Sequence, residues 1–279
     1  MQPVFSFIIP CYNHGEHLRG AIRSVEAIQD MPCEIIIVDD GSEQEATVKE
    51  LKILEGEGYM VIYQPNAGPG AARNNGIANA RGRYIVPLDA DDRIRAEYIT
   101  NAFEILEHSP DIGAVYSDFK RFGASEAAEY HKAYSVQGLL LDNVVGSCVI
   151  FRKSAWETVG GYAEQLKKGY GWEDWEFWIN LAAHGFKFQH IDVIGYDYFF
   201  SPNSRERSFL QSKYKVNATI SYFENKHKGF YDPSAIHESL INQITKHPLG
   251  MFLKIFLAVC FPSIYGSLVK KGKIRKYLV

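Results

Sequence analysis

PVFSFIIPCYNHGEHLRGAIRSVEAIQDMPCEIIIVDDGS, running from Pro3 to Ser42, decides the fold. Val4 to Ile9 is an apolar run of strand length that ends at the polar Tyr12 and Asn13. A helical pattern follows through His17, Ala21, Ile22 and Val25, and then a second apolar strand, Glu34 to Val38, closed by Asp39, Asp40 and Gly41. Strand, helix, strand in that order is a βαβ opening. Working outward, the alternation continues with a helix near Gln44 to Leu54, a strand near Met60 to Tyr63, a helix near Gly70 to Ala80 and a buried strand from Tyr84 to Leu88. Short strands separated by helices predict an α/β fold, a Rossmann-like, mixed but mainly parallel sheet flanked by helices on both faces. Ligands of such sheets bind beyond the carboxyl ends of the strands, where each polar cluster of this half falls.

The second half is less regular. It reads as a helix from Ala96 to His108, a strand near Ala114 to Tyr116, a loop-rich stretch, a strand near Cys148 to Phe151 and a helix from Trp172 to His184, with mixed strand directions. From Ser208 onward only helices are expected, so the chain divides into a sheet domain, residues 1–207, and a helical C-terminal extension, residues 208–279. The 279 residues are 46% hydrophobic and 23% charged, enough to bury a sizeable core, and a net charge of −3 gives no global reason to expect nucleic acid as a partner. Cys11, Cys33, Cys148 and Cys260 form no C-x-x-C pair, so reduced thiols and a cytoplasmic location are expected. The N-terminus has no basic leader and reads as the first strand rather than a signal peptide.

In YIVPLDADDR, residues 84–93, a buried apolar run stops at three carboxylates within four positions. Such crowding is unfavourable without a cation. On an extended segment Asp89 and Asp91 point to the same side, where their oxygens can converge on one hard divalent ion, Mn²⁺ or Mg²⁺. The alternative is a solvated acidic turn with Asp92 capping the next helix.

FIIPCYN, EIIIVDDGS, PNAGPGAARNNGI, YIVPLDADD and GWEDWEFWINLAAHG occur in this order. Together they resemble family 2 glycosyltransferases of the GT-A fold over about the first two hundred residues, and five ordered motifs are far more specific than one D-x-D. The resemblance implies a nucleotide-diphosphate sugar donor, a divalent metal held by Asp91 with Asp89 assisting, and inversion at the anomeric carbon. It makes residues 1–207 the catalytic domain. Pro10 and Tyr12 then correspond to the nucleoside pocket, with the Tyr12 ring on the base, the alternative being core packing. Asp40 corresponds to the acceptor of a hydrogen bond from the base, while Asp39 supports the loop. Arg73 is the expected nucleotide contact, at the start of a helix whose amides face negative charge. Asn66 reads the base edge or merely forms a turn. Asp89 also borders the donor.

The same resemblance makes Asp174 the base that takes the proton of the acceptor hydroxyl, with Glu173 positioning it or touching the acceptor; as isolated residues the two are simply favourable charges in a first helical turn. Trp172 and Trp175 either stack on an acceptor sugar or belong to the core. YDYFFSPNSRERS, residues 196–208, reads as a lid loop with Arg205 or Arg207 on the diphosphate. His14 and His17 read as a helix surface beside the substrate loop rather than metal ligands. No Q-x-x-R-W or R-x-x-R-W follows Asp174, so one sugar per encounter, rather than processive synthesis, is expected. A uridine base is the default, and the acceptor is a glycan or a lipid-linked glycan in cell-surface polysaccharide or glycoconjugate synthesis.

Leu249 to Val269 is apolar but broken by Lys254 and Pro262, and Lys270, Lys271, Lys273, Arg275 and Lys276 follow. Two readings stay open: an interfacial helix that makes the protein peripheral at the inner face of the membrane, or a helix packed on the catalytic domain or in a homodimer interface. The rival functions are a sugar-phosphate nucleotidyltransferase, whose glycine-rich N-terminal loop is missing here, and a sugar-nucleotide or glycan binding module that has lost its chemistry.

Overall fold

The structure is a computed structural model, and it describes residues 2–131, 134–166, 170–201 and 204–230. The chain opens with β1 (Phe5–Cys11), α1 (Gly15–Glu26), β2 (Cys33–Asp39), α2 (Glu45–Gly56), β3 (Met60–Tyr63), α3 (Pro69–Asn79) and β4 (Tyr84–Pro87). It continues with β5 (Arg93–Ile94), α4 (Ala96–His108), β6 (Ile112–Gly123), β7 (Ala127–Glu129), α5 (Val136–Leu141), β8 (Ile150–Arg152) and α6 (Lys153–Val159). The remaining elements are α7 (Glu173–Ala183), β9 (Lys187–Phe200), α8 (Arg205–Leu210) and α9 (Lys213–Lys226). Among the described residues the strands form one sheet in the order β3-β2-β1-β4-β8-β6-β9-β5, with β7 paired to β6 outside that path.

β1 pairs in parallel with both β2 and β4, and β2 with β3. The chain therefore moves outward from β1 to β3 and returns to the other flank of β1. That reversal opens a crevice between the carboxyl ends of β1 and β4, the place where open α/β sheets bind ligands. β8 is antiparallel to β4 and β6, whereas β6 and β9 run parallel, so the mixed directions expected of the second half are present.

Alternation along β1 divides the core into two layers. Phe5, Phe7 and Ile9 face one apolar cluster with α1, α2 and α4, while Ile8 faces a second with α3, α6, α7 and Phe223 of α9. Both faces of the central strands are dry, so β1, β2 and β4 read as continuous apolar runs.

β9 departs from the expectation. Tyr196 to Phe200 are strand, not lid: they pair with Phe119 to Gly123 of β6, which is itself much longer than the three residues expected. Polar residues such as Asp118, Lys120, Asp192 and Asp197 interrupt the apolar signal, and only the partner strand makes the segment regular. Asp92 is also differently placed, because β5 intervenes before α4 and the residue preceding that helix is Arg95, which makes no side-chain cap. Cys11, Cys33 and Cys148 are free thiols, and burial pushes the Cys11 thiol up to about 12. No helix among the described residues is long and apolar enough to cross a membrane. Cys260 and the apolar and basic segments from Leu249 onward lie outside the described residues.

α3 sits directly on the sheet because Gly76 has no side chain: a Cβ there would stand 2.5 Å from Ile8 Cγ2 and 3.0 Å from Val38 Cγ2. Gly76→Ala would gain about 1 kcal/mol of helix propensity but meet two fully buried strand residues, and overpacking costs about 1–3 kcal/mol. The overlap wins, so the urea midpoint of Gly76→Ala is expected to fall below that of the parent.

Candidate active site

The loop after β1 is shaped by Asn13, one of two non-glycine residues with positive φ among the described residues (φ 58°), a conformation asparagine tolerates. Its Oδ1 accepts the amides of Glu43 (2.8 Å) and Gln44 (2.9 Å), and its own amide donates to Ser42 Oγ (3.0 Å). The first two strand ends are thus locked together, with Pro10 and a partly exposed Tyr12 on their rim.

Asp39 and Asp40 hold different loops. Asp39 Oδ1 accepts the Ser42 amide at 3.0 Å, which is the loop-supporting role foreseen. Asp40 is buried as well: Oδ1 accepts from Gln64 Nε2 and the Ala67 amide, and Oδ2 from the Gly68 amide, each at 2.8 Å. Three of its roughly four accepting sites go to the loop that leads into α3, so Asp40 holds that loop against the end of β2. Gly41, with φ +73°, lets Asn66 lie close against it; a Cβ there would come within 2.8 Å of the Asn66 amide nitrogen. Asn74 and Asn75 on α3 also tie loops: Asn74 brackets Tyr162 and Trp156, and Asn75 donates to Gln64.

Arg73 joins two parts of the site. Expected on the nucleotide, it is only 3% exposed and bridges two carboxylates from distant parts of the chain. Nη2 donates to Asp89 Oδ1 at 2.7 Å and Nη1 to Glu173 Oε1 at 2.8 Å, while the ring of Tyr162 lies 5.6 Å from the guanidinium carbon. Arg205, the first residue of α8, donates to the same Glu173 at 2.9 and 3.2 Å, so it lies on a carboxylate where a diphosphate contact was expected. Residues 202–203 and the side chain of Arg207 are outside the described residues.

The carboxylates after β4 sit on a turn, closed by the Asp92 amide donating to the Asp89 carbonyl at 3.0 Å, and not on an extended segment. Crowding sends one of them inside: Asp92 is 1% exposed and accepts the Phe199 amide of β9 at 2.8 Å. Burial, then the charges of Asp89 and Asp91, raise its carboxyl far above the usual range. Asp89 and Asp91 stay partly exposed. Asp91 Oδ2 lies 3.5 Å from His14 Nδ1, a contact that raises the imidazole above its ordinary value and brings a residue read as helix surface to the site's edge.

Glu173 and Asp174 are adjacent yet electrostatically opposite. Burial pushes both up. For Glu173 the guanidiniums of Arg205 and Arg73 overcome burial and hold it down at about 2. For Asp174 burial is reinforced by the Glu173 charge, which pushes it up to about 7. Its Oδ1 accepts the Trp175 amide at 2.8 Å, and its Oδ2 accepts from Asn143 at 3.1 Å, a residue that no sequence pattern singled out. The two neighbouring carboxyls are driven apart in this way, Glu173 held charged and Asp174 poised near neutrality. Trp172 and Trp175 belong with the second apolar cluster: the Trp175 indole donates to the Leu139 carbonyl at 2.6 Å, and Trp172 packs edge-on against Trp175 and Phe209.

The family model described as glycosyl transferase family 2 matches residues 6–162, and one described as the N-terminal domain of galactosyltransferase matches residues 131–201. A protein named as an uncharacterized glycosyltransferase of Rickettsia prowazekii is 26% identical over 99% of this chain and 83% of its own length. Poly-beta-1,6-N-acetyl-D-glucosamine synthase of Staphylococcus aureus is 28% identical over 56% of this chain and 41% of its own. Among solved structures, S. aureus TarS 1–349 in complex with UDP-GlcNAc superposes with a TM-score of 0.64 at 19% identity, covering 91% of this chain and 76% of that one. The chain belongs to glycosyl transferase family 2: it is a glycosyltransferase with the GT-A fold.

Because the Glu173 carboxyl is held below its unfolded value of about 4.3, its ion pairs stabilise the fold fully above that pH and fade as pH falls toward about 2. Denaturant midpoints measured from pH 5 to pH 2.5 should therefore fall more steeply for the parent than for Glu173→Gln; parallel curves would contradict the assignment.

Proposed function

We propose that the enzyme transfers a single sugar, with inversion, from a nucleoside-diphosphate sugar to a hydroxyl of a glycan or lipid-linked acceptor in cell-surface polysaccharide or glycoconjugate synthesis. The observation that carries the reading is the split pair Glu173 and Asp174, set opposite the carboxylate turn and joined to it through Arg73. A uridine donor draws support from TarS, crystallised with UDP-GlcNAc and with UDP, and polysaccharide synthesis from the named S. aureus synthase.

In the proposed mechanism Asp174 accepts the proton of the acceptor hydroxyl. The freed oxygen pair attacks the anomeric carbon, and the bond from that carbon to the diphosphate oxygen breaks with its electrons on the diphosphate. A single displacement inverts the centre. Glu173 remains charged and fixes Arg73 and Arg205 around the reacting groups. Tyr12, Asn66 and the Asp40 loop frame the base.

The residues fit a divalent ion of the Mn²⁺ or Mg²⁺ type. No group of three or more histidine, cysteine or acidic residues able to hold a metal occurs among the described residues, but a hard cation needs only one or two protein carboxylates when diphosphate and water complete its shell. Asp91 would hold it with Asp89, whose Oδ1 already serves Arg73. When bound, the ion neutralises charge that builds on the departing diphosphate. A cytoplasmic site of action, at the inner face of the membrane, completes the proposal; it rests on the apolar and basic segments after Leu249 in the sequence.

The test is UDP release from UDP-GlcNAc with Mn²⁺, alone and with candidate acceptors. Asp174→Asn is expected to abolish release while leaving calorimetric donor binding intact. The parent's kcat/KM should rise with pH through an acid limb near 7, because the base acts only when ionised. Near-parental turnover in Asp174→Asn removes the base assignment.

A further inference from the structure

Asp174 is held from two sides, and the second hold is built for that purpose. Asn143 lies in the irregular stretch between α5 and β8, yet every polar atom of its amide is engaged. Nδ2 donates to Asp174 Oδ2 at 3.1 Å and to the Gly146 carbonyl at 3.2 Å, and Oδ1 accepts the Gly146 amide at 3.2 Å. The same Gly146 carbonyl accepts the indole N–H of Trp178 at 3.0 Å. Trp178 stands one turn beyond Asp174 on α7, so the helix and the loop close a ring of hydrogen bonds: Asp174, Asn143, Gly146, Trp178. Val144 and Val145, between Asn143 and Gly146, are buried in the second apolar cluster. Gly146 has φ +82° and is wedged in place, since a Cβ there would stand 2.9 Å from His131 Nε2 and 3.2 Å from the Tyr196 hydroxyl.

Asparagine is the residue this ring needs. Its NH₂ supplies one hydrogen to each of two acceptors while its carbonyl takes the Gly146 amide, and aspartate at this position would have no donor for Asp174.

We infer that Asn143 is the positioning residue of the base: through its amide it fixes the rotamer of the Asp174 carboxylate for the acceptor hydroxyl, without itself touching substrate. The inference rests on the reading of Asp174 as base. The groups that act electrostatically on Asp174 are Glu173 on its own helix, Arg73 from α3, Arg205 from α8 and Tyr162 before α7. A hydrogen bond to Oδ2 favours the ionised form, and burial with Glu173 opposes it.

The test compares Asn143→Ala and Asn143→Asp with the parent, measuring kcat, KM for UDP-GlcNAc, the pH profile of kcat/KM, calorimetric donor affinity and thermal midpoint. Asn143→Ala should lose about a hundredfold in kcat, as a misplaced reacting group does, with donor KM and donor affinity unchanged. Asn143→Asp keeps the shape but sets a second carboxylate against Asp174, and should move the acid limb to higher pH. A merely structural role would lower the thermal midpoint while leaving the kcat of the folded Asn143→Ala enzyme unchanged. A limb unchanged in Asn143→Asp, or a kcat within about twofold of the parent in Asn143→Ala, overturns the inference. If Asn143→Ala does not fold, Asn143→Asp decides alone. Inactive Asp174→Asn beside unaffected Asn143 variants defeats only the positioning role, whereas active Asp174→Asn defeats the base reading itself.

Discussion

The active site depends on where the charge of Arg73 goes. A guanidinium with 3% exposure is stable only if its donors meet carboxylates, and the two that meet it come from the turn after β4 and from the first residue of α7. One planar fork thereby sets the spacing between the carboxylate turn after β4 and the start of α7. Arg205 adds a second positive charge to Glu173 from α8, so the element that follows the long strand β9 is held at the same point.

This arrangement also explains why two adjacent acids behave differently. Glu173 meets both guanidiniums directly and stays charged; Asp174 meets a backbone amide and the neutral amide of Asn143 and feels the charge of Glu173. Difference in partners, more than difference in burial, separates them. The turn after β4 works by a similar division: Asp92 turns inward to β9, leaving Asp89 and Asp91 at the surface of the crevice.

The central sheet was legible because β1, β2 and β4 are largely buried on both faces and therefore mostly apolar, and β3 and α4 fall at the expected residues. The adjacent acids Glu173 and Asp174 and the carboxylates of the turn after β4 stood out in the sequence because crowded acids need a reason. What could not be read was tertiary partnership. Nothing near Arg73 in sequence reveals that its partners lie at Asp89 and, one hundred positions away, at Glu173. Asn143 follows Asp142 in an otherwise apolar and small stretch, with no spacing to mark it. Tyr196 to Phe200 looked like a lid because a strand whose regularity comes from its neighbour carries little periodicity of its own. That Asp40 also holds the loop before α3 was not legible, because the amides it accepts, Ala67 and Gly68, lie far from the VDDGS motif in sequence.

The claim that one buried guanidinium unites the two halves of the site is tested most directly by UDP release from UDP-GlcNAc in Arg73→Lys. Lysine keeps the positive charge but, as a single ammonium on a flexible stem, does not reproduce the two-armed contact. The account predicts a folded protein whose kcat falls by about a hundredfold, because charge is retained while geometry is lost. A folded Arg73→Lys enzyme turning over within about twofold of the parent would contradict it.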